Sequence, residues 1–406
     1  MSAAPATQNL QGWAFTLLLA ALTALTALSI DMSLPALPQL QRAFKASAGG
    51  VQLTLSLFLV GYGVGQLVCG FLSDRFGRRP VLLAGLALFT VAGLACAFSP
   101  SLPALVVLRL LQGMGASVGP ILARAMVRDR FGVSREAVSV LSQITQVMIV
   151  APLLAPTLGE YLLALWGWPA IFFVLGATGA IVGVICLLRL PETLPTALDQ
   201  DAAPIEQTPS LKDGLHAVFS HRASLRYSLG VALASAGMFA YISASPLVFM
   251  EVFQVPQRQF GLFFAFTAAA LLVGATVNRA LVRRHISSRT LARAGAWIIG
   301  VAGSLVALLA LLKFGGLAGV IAPMMLYLFG QGLLQPNATA LAMEPHVRTA
   351  GAVSSIMGGA QTLGGALAAT AVGMFYDHST SSMAITVGVL AVLALLASLW
   401  GSTQKQ

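Results

Sequence analysis

Twelve runs of 19 to 27 residues, almost free of charged side chains, alternate with short polar connections along this chain. They cover 13–35, 51–72, 81–99, 102–123, 137–163, 168–190, 225–249, 260–280, 291–312, 317–340, 351–375 and 382–400. A bilayer core about 30 Å thick takes roughly 20 helical residues to cross, so each run predicts one transmembrane helix. The first run is expected to be retained as a span. No basic residue precedes it and its apolar stretch is too long for a cleaved leader.

The longest break, 191–224, holds several acids and four prolines and divides the runs into two sets of six. Within it, Ser210-Leu-Lys-Asp213 followed by Leu215, Val218 and Phe219 predicts a capped, amphipathic helix lying on the membrane surface. The pattern Gly70-Phe-Leu-Ser-Asp74-Arg75 after the second run returns as Gly274-Ala-Thr-Val-Asn278-Arg279 after the eighth. The expected organisation is therefore a first six-helix bundle (1–190), a surface connection (191–224) and a second six-helix bundle (225–406). Six plus six spans with a duplicated loop is the layout of a secondary transporter.

Composition agrees with the pattern. Of 406 residues, 57% are apolar and 9% charged, against about 25% charged in soluble domains. A soluble enzyme is thereby excluded. The net charge of +10 does not point to nucleic acid, because the basic residues are dispersed in short clusters between apolar runs. Eighteen of the 23 lysines and arginines fall in the connections after runs 2, 4, 6, 8 and 10 and in the C-terminal tail, among them Arg348 and Lys405. Only Arg42, Lys45, Arg258 and Lys313 fall on the other side. The positive-inside rule then predicts both termini in the cytoplasm. The three cysteines, Cys69, Cys96 and Cys186, lie inside apolar runs, and the five histidines lie in or beside connections, so no disulfide, metal site or cofactor is expected.

The densest motif is Gly70-Phe-Leu-Ser-Asp74-Arg75-Phe-Gly77-Arg78-Arg79-Pro80. Its glycines permit a tight reversal between helices, and its arginines sit where helix C-terminal carbonyls favour cations. A basic surface turn is the plainer reading. The motif resembles the loop signature of the major facilitator superfamily. That resemblance implies a charge latch between the two halves, carried by Gly70, Asp74, Arg75, Gly77, Arg78 and Arg79.

Asp31, in Asp31-Met-Ser33-Leu-Pro35-Ala-Leu-Pro38, is the acid best placed to lie inside the membrane, where an ionisable group is a functional hypothesis by default. An interfacial, solvated carboxylate is the alternative. Arg109 is the one basic residue deep in a run, about 12 Å from its outer end at 1.5 Å per residue, and Asp31 lies roughly 6 to 10 Å deep. Similar depth in the same half predicts that the two act together, as a proton-coupling pair or as a structural ion pair. The fifth run adds Pro152, Pro156 and Gly159. With Asp31-x-x-Leu-Pro-Ala-Leu-Pro and Leu110-x-Gln112-Gly-x-Gly-Ala-Ser117, this pattern is similar to that of the twelve-span drug:proton antiporters of the bicyclomycin/chloramphenicol resistance type. Two positions depart from it: Ser33 replaces an aromatic residue, and Glu160 stands where a small residue is usual. Glu160 is expected to be interfacial and solvated, with a place in the proton pathway as the alternative.

Tyr62, Gln112, Gln143, Gln146, Phe239, Tyr241, Phe266, Tyr327, Gln331 and Gln361 supply aromatic and neutral polar groups on runs expected to line a central cavity. Ordinary helix packing is the competing reading for each. Gly115-Ala-Ser117-Val-Gly119 matches a nucleophile elbow but lies in a membrane helix, outside the strand-turn-helix context that chemistry needs. The chain has no Gly-Lys dipeptide and hence no phosphate-binding loop. The expected protein is an all-α polytopic membrane protein and not an enzyme. The resemblance implies a monomeric exporter of hydrophobic or amphiphilic antimicrobials in a bacterial inner membrane, driven by the proton gradient. A metabolite exporter or importer of the same fold is the near alternative, and a non-transporting receptor the distant one.

Overall fold

The computed structural model describes residues 12–132, 134–194, 211–346 and 349–400, and all regular structure among them is helical. The first six runs become α1 (Gly12–Asp31), α3 (Ala48–Phe76), α4 (Arg78–Ala97), the pair α5 (Leu102–Ala116) and α6 (Val118–Phe131), α7 (Arg135–Trp166) and α8 (Trp168–Arg189). The last six become α10 (Arg222–Leu247), α11 (Gln257–Arg283), α12 (Ser288–Leu311), α13 (Gly316–Met343), α14 (Ala350–Met374) and α15 (Ser381–Leu399). Two short helices complete the set: α2 (Leu37–Phe44) beyond α1, and α9 (Leu211–Ser220) ahead of α10.

Local chemistry explains the boundaries. Ser47, Ser101, Ser134 and Ser287 cap α3, α5, α7 and α12, each accepting the backbone N–H three residues on. Pro35 and Pro38 cannot donate, and α1 gives way at Asp31 to a 3₁₀ turn at Leu34–Ala36 before α2 begins. Ser117 interrupts the fourth run, its hydroxyl donating back to the Met114 carbonyl at 2.7 Å. Pro246 precedes a π-turn at Val248–Val252 that ends the seventh run.

Eleven helical stretches among the described residues are long and apolar enough to cross a membrane. The remaining run, the eleventh (α14), is long enough but rich in Gly and interspersed with Ser, Thr and a Gln. Its small residues let it lie between α3 of the first set and α10 of its own, an environment of helices instead of lipid. In the first bundle α3 packs on α5, α4 on α5 and α8, and α1 on α7. In the second, α11 packs on α13, α12 on α13 and α15, and α10 on α14. The bundles meet along two seams, α3 with α14 and α7 with α11. By the internal repeat these seams are images of each other, spans 2 and 11 exchanging with spans 8 and 5.

The amphipathic α9 is present, lying against α10 and α14. The cap expected at Ser210, and the basic residues Arg348 and Lys405, lie outside the described residues.

Candidate functional site

Arg109 is fully buried in α5. Its guanidinium donates from Nη2 to the Ser29 carbonyl (3.0 Å) and the Ser33 hydroxyl (3.4 Å), from Nη1 to Gln112 Oε1 (2.8 Å), and from Nε to the Thr54 carbonyl (3.3 Å). The rings of Phe58 and Phe172 lie 4.2 and 5.5 Å from it. Every acceptor is neutral. Ser29 is in the last turn of α1, whose carbonyls have no partner within the helix and carry partial negative charge, so Arg109 acts as the cationic cap of α1.

Asp31 is the last residue of α1 and is 4% exposed. Among the described residues, no cation lies within ion-pair distance of its carboxylate and no hydrogen bond reaches it. The expected Asp31–Arg109 pair is therefore not formed in this conformation. Equal depth is not enough for contact. At about 100° per residue, Asp31 projects from α1 nearly opposite to Ser29 and Ser33, two residues before and after it. Arg109 grips the chain on both sides of Asp31 and holds its position without touching its charge.

The motif between α3 and α4 forms a tight polar knot. The Arg78 guanidinium pairs with Asp74, with Asp129 on α6 (2.8 Å) and with the Ser73 hydroxyl (2.7 Å). Glu192, beyond α8, accepts the backbone N–H groups of Arg78 (2.9 Å) and Arg79 (3.1 Å), the first two residues of α4, and thus caps that helix. Arg79 donates to the Leu187 carbonyl at 2.6 Å, and Arg75 stacks on its neighbour Phe76. Gly77 is required twice over: its φ of +96° belongs to glycine, and a Cβ there would sit 2.6 Å from Glu192 Oε2. All these partners lie in the first bundle or, for Glu192, immediately beyond its last helix. The latch expected between the halves is, in this conformation, closed within one of them. Its repeat keeps the position but loses the charge: Asn278 pairs with Asn337 on α13 at 2.5 Å.

Burial works against the Glu192 carboxylate, but the N–H groups of Leu194, Arg78, Arg79 and Thr193 outweigh it and hold its pKa below the usual value of 4.5. A depressed pKa stabilises the folded state above the ordinary carboxylate range, and that contribution fades as pH falls through the depressed value. Glu192→Gln is thus expected to lower the apparent Tm in detergent at pH 7 by roughly 1–3 °C, the scale of a lost helix cap. The difference from the parent should shrink in thermal melts below pH 4.5. An equal difference at both pH values would contradict this role.

The two seams show which end is shut. At the face opposite the basic residues, Gly49 touches Gly373, Gln52 donates to the Ser243 carbonyl at 3.3 Å, and Gly261 lies against Thr157. Contacts continue down α3 and α14 as far as Gln66 with Gly358 and Leu67 with Gly359. Nearer the basic face they stop. A side chain at Gly70 or Gly351 would meet nothing within 4 Å, and Phe71, Leu72 and Phe76 are exposed.

The expected cavity residues divide into three groups. Gln112, Tyr241 and Tyr327 are fully buried and engaged, with Arg109, the Thr267 hydroxyl and the Ala234 carbonyl respectively. They serve packing in this conformation and not an open wall, since a polar group on an inward span can equally face its own bundle. Tyr62 is buried too, while Gln143, Gln146 and Phe266 are exposed and Phe239 packs against Gly365. Gln331 and Gln361 join a neutral network: Gln331 donates to the Ser235 hydroxyl (3.0 Å), and Gln361 Oε1 accepts from Ser235 (3.2 Å) and Gln335 (3.1 Å). On α7, Pro152 and Pro156 lie within a continuous helix, and Gly159 allows the Met32 carbonyl of the α1 end to approach. Ser235, Gln335, Asp129 and Glu192 were not singled out from the sequence. A lone acid amid Arg128 and Arg130, and an acid just past the last arginine of a span, are the signals that mark the last two.

Residues 19–369 match the family model described as Major Facilitator Superfamily. An uncharacterised MFS-type transporter of Bacillus subtilis, YdgK, is 33% identical over 97% of this chain and 96% of its own. A bicyclomycin resistance protein homolog of Haemophilus influenzae is 28% identical over 94% of both. Among solved structures, a bacterial homolog of the lysosomal transporter Spinster matches with a TM-score of 0.74 at 16% identity, over 96% of this chain and 98% of that one.

Proposed function

This chain belongs to the Major Facilitator Superfamily, and from that premise we propose that it is an antiporter exporting hydrophobic or amphiphilic antimicrobials in exchange for protons. The observation that carries the reading is Asp31, a carboxyl group buried at the end of α1 with no cation among the described residues against it. A buried charge is stable only when paired or neutralised, so a proton is the simplest occupant. The bicyclomycin-resistance name borne by a relative that covers nearly the whole chain supports a drug as cargo.

The basic face is assigned to the cytoplasm of a bacterial inner membrane, which makes the conformation described above inward-facing. Cargo enters between the splayed ends of α3 and α14. The Arg78 knot keeps the first bundle rigid and re-forms its contacts across the seam when the cytoplasmic side closes. The Ser235–Gln331–Gln335–Gln361 network offers hydrogen bonds without charge, suited to phenicol- or bicyclomycin-like compounds.

Everted vesicles with an imposed pH gradient test this. Adding such a compound should collapse the gradient in proportion to its concentration. Collapse by small metabolites alone would favour the metabolite reading, and a gradient indifferent to every compound would remove antiport altogether.

A further inference from the structure

Asp31 and Glu160 are buried acids with no ion pair among the described residues, whereas Asp129, whose side chain is equally covered, is paired with Arg78. The coupling scheme above gives Glu160 no task, and the expectation of a solvated, interfacial acid fails: it is 7% exposed. It lies in the seam between the bundles, where its carboxyl accepts the backbone N–H of Gly261 on α11. Two close backbone approaches flank it. Gly159 abuts the Met32 carbonyl, next to Asp31, and a Cβ on Gly261 would sit 2.7 Å from Thr157 Oγ1 and 2.9 Å from the Thr157 nitrogen.

The elements packed around it offer few charges. Asp31 is the only ionisable group of α1, Tyr161 follows on α7, Arg258 opens α11, and Glu251 sits in the π-turn against α11. The arginines of α6 and α8 and the remaining arginines of α11 lie at the opposite end of those helices. None of these groups pairs with Glu160. Tyr161 and Arg258 are exposed, and Glu251 is engaged by the Tyr376 hydroxyl and lies 3.7 Å from His378 Nδ1, away from Glu160.

We propose that Glu160 is a second proton-binding site, filled from the outer solution as α7 closes on α11 and emptied when that seam opens. The proposal rests on the reading of an alternating, proton-coupled carrier. Closing the seam strips water from the carboxyl and supplies one N–H but no cation. An ionised carboxylate would then hold an uncompensated charge in an apolar seam. A carboxylic acid keeps the Gly261 hydrogen bond on its carbonyl oxygen and carries no charge. Closure of the outer face therefore takes up one proton, and the closed fraction grows by up to about tenfold for each unit fall in pH through the range where the group titrates.

Ser243, wholly buried at the other outer contact, provides a reporter away from Glu160. The Ser243→Cys chain, in right-side-out vesicles without substrate, is treated with a membrane-impermeant maleimide from pH 5.5 to 8.5. Rates are divided by those of the exposed control Lys313→Cys, which removes the reagent's own pH dependence. The normalised rate should rise with pH by several-fold across the range. Adding Glu160→Gln, which keeps the acceptor and removes the titration, should flatten the profile at its low-pH value. A flat profile in the Ser243→Cys parent, or an unchanged slope with Glu160→Gln, would overturn the proposal. Loss of substrate-driven proton flux with this slope intact would instead fault the exporter reading alone.

Discussion

Asp31→Asn is expected to abolish substrate-driven proton flux while leaving the chain in the membrane at the parental level. The two halves of this expectation have separate grounds. Insertion should survive because no described hydrogen bond or ion pair depends on the Asp31 carboxylate, and an amide in its place removes a potential buried charge. Coupling should fail because asparagine cannot take up a proton. A single proton moving down 100 mV supplies about 2.3 kcal/mol, equivalent to an accumulation ratio of about fifty for a neutral compound. Without it the compound should equilibrate, with a ratio near one in vesicle uptake. Resistance in a susceptibility assay should fall accordingly. Undiminished proton flux in the variant would move the coupling site away from Asp31, with Glu160 as the next carboxyl group to substitute.

Much of this architecture is readable from spacing alone, because an apolar run bounded by charges has only one stable solution in a bilayer. The twelve spans and their pairing into halves follow from that constraint. Depth was readable too, since rise per residue converts a position into a distance, and Asp31 and Arg109 do lie in neighbouring layers. Azimuth was not. Whether Asp31 faces Arg109 depends on how α1 is rotated about its axis, and that rotation is set by contacts such as Thr26 with the Ala116 carbonyl, 90 residues away in the chain. Glu192 illustrates the same limit, capping a helix that begins 114 residues earlier. Glu160 shows a third: position near a span's end suggested solvent, yet the second bundle covers it. Interfaces between bundles leave little trace in a single helix's composition when both partners are apolar.

Arg109→Gln should destabilise the protein strongly, and neutralising Asp31 as well should not repair it. A buried ion pair has a recognisable signature: removing one partner is severe, and removing both restores much of the loss. The geometry of Arg109 predicts the opposite. Its guanidinium satisfies the Ser29 and Thr54 carbonyls and Gln112 Oε1, and it lies over the Phe58 ring. With the Ser33 hydroxyl these make four buried acceptors, and glutamine, with two donors on a shorter side chain, leaves at least two of them unpaired. Each orphaned group costs about 1–3 kcal/mol, offset partly by removing a desolvated cation, so a net loss of roughly 3 kcal/mol is reasonable. Arg109→Lys should behave almost as badly, because a point charge cannot span four divergent acceptors or stack on an aromatic ring. Thermal unfolding of Arg109→Gln and of the Arg109→Gln/Asp31→Asn double variant in the same detergent decides the matter. Equal, low melting temperatures would establish Arg109 as the anchor that fixes the end of α1 and thereby aims Asp31. A double variant restored toward the parent would show instead that the two charges do meet, in another conformation of the carrier.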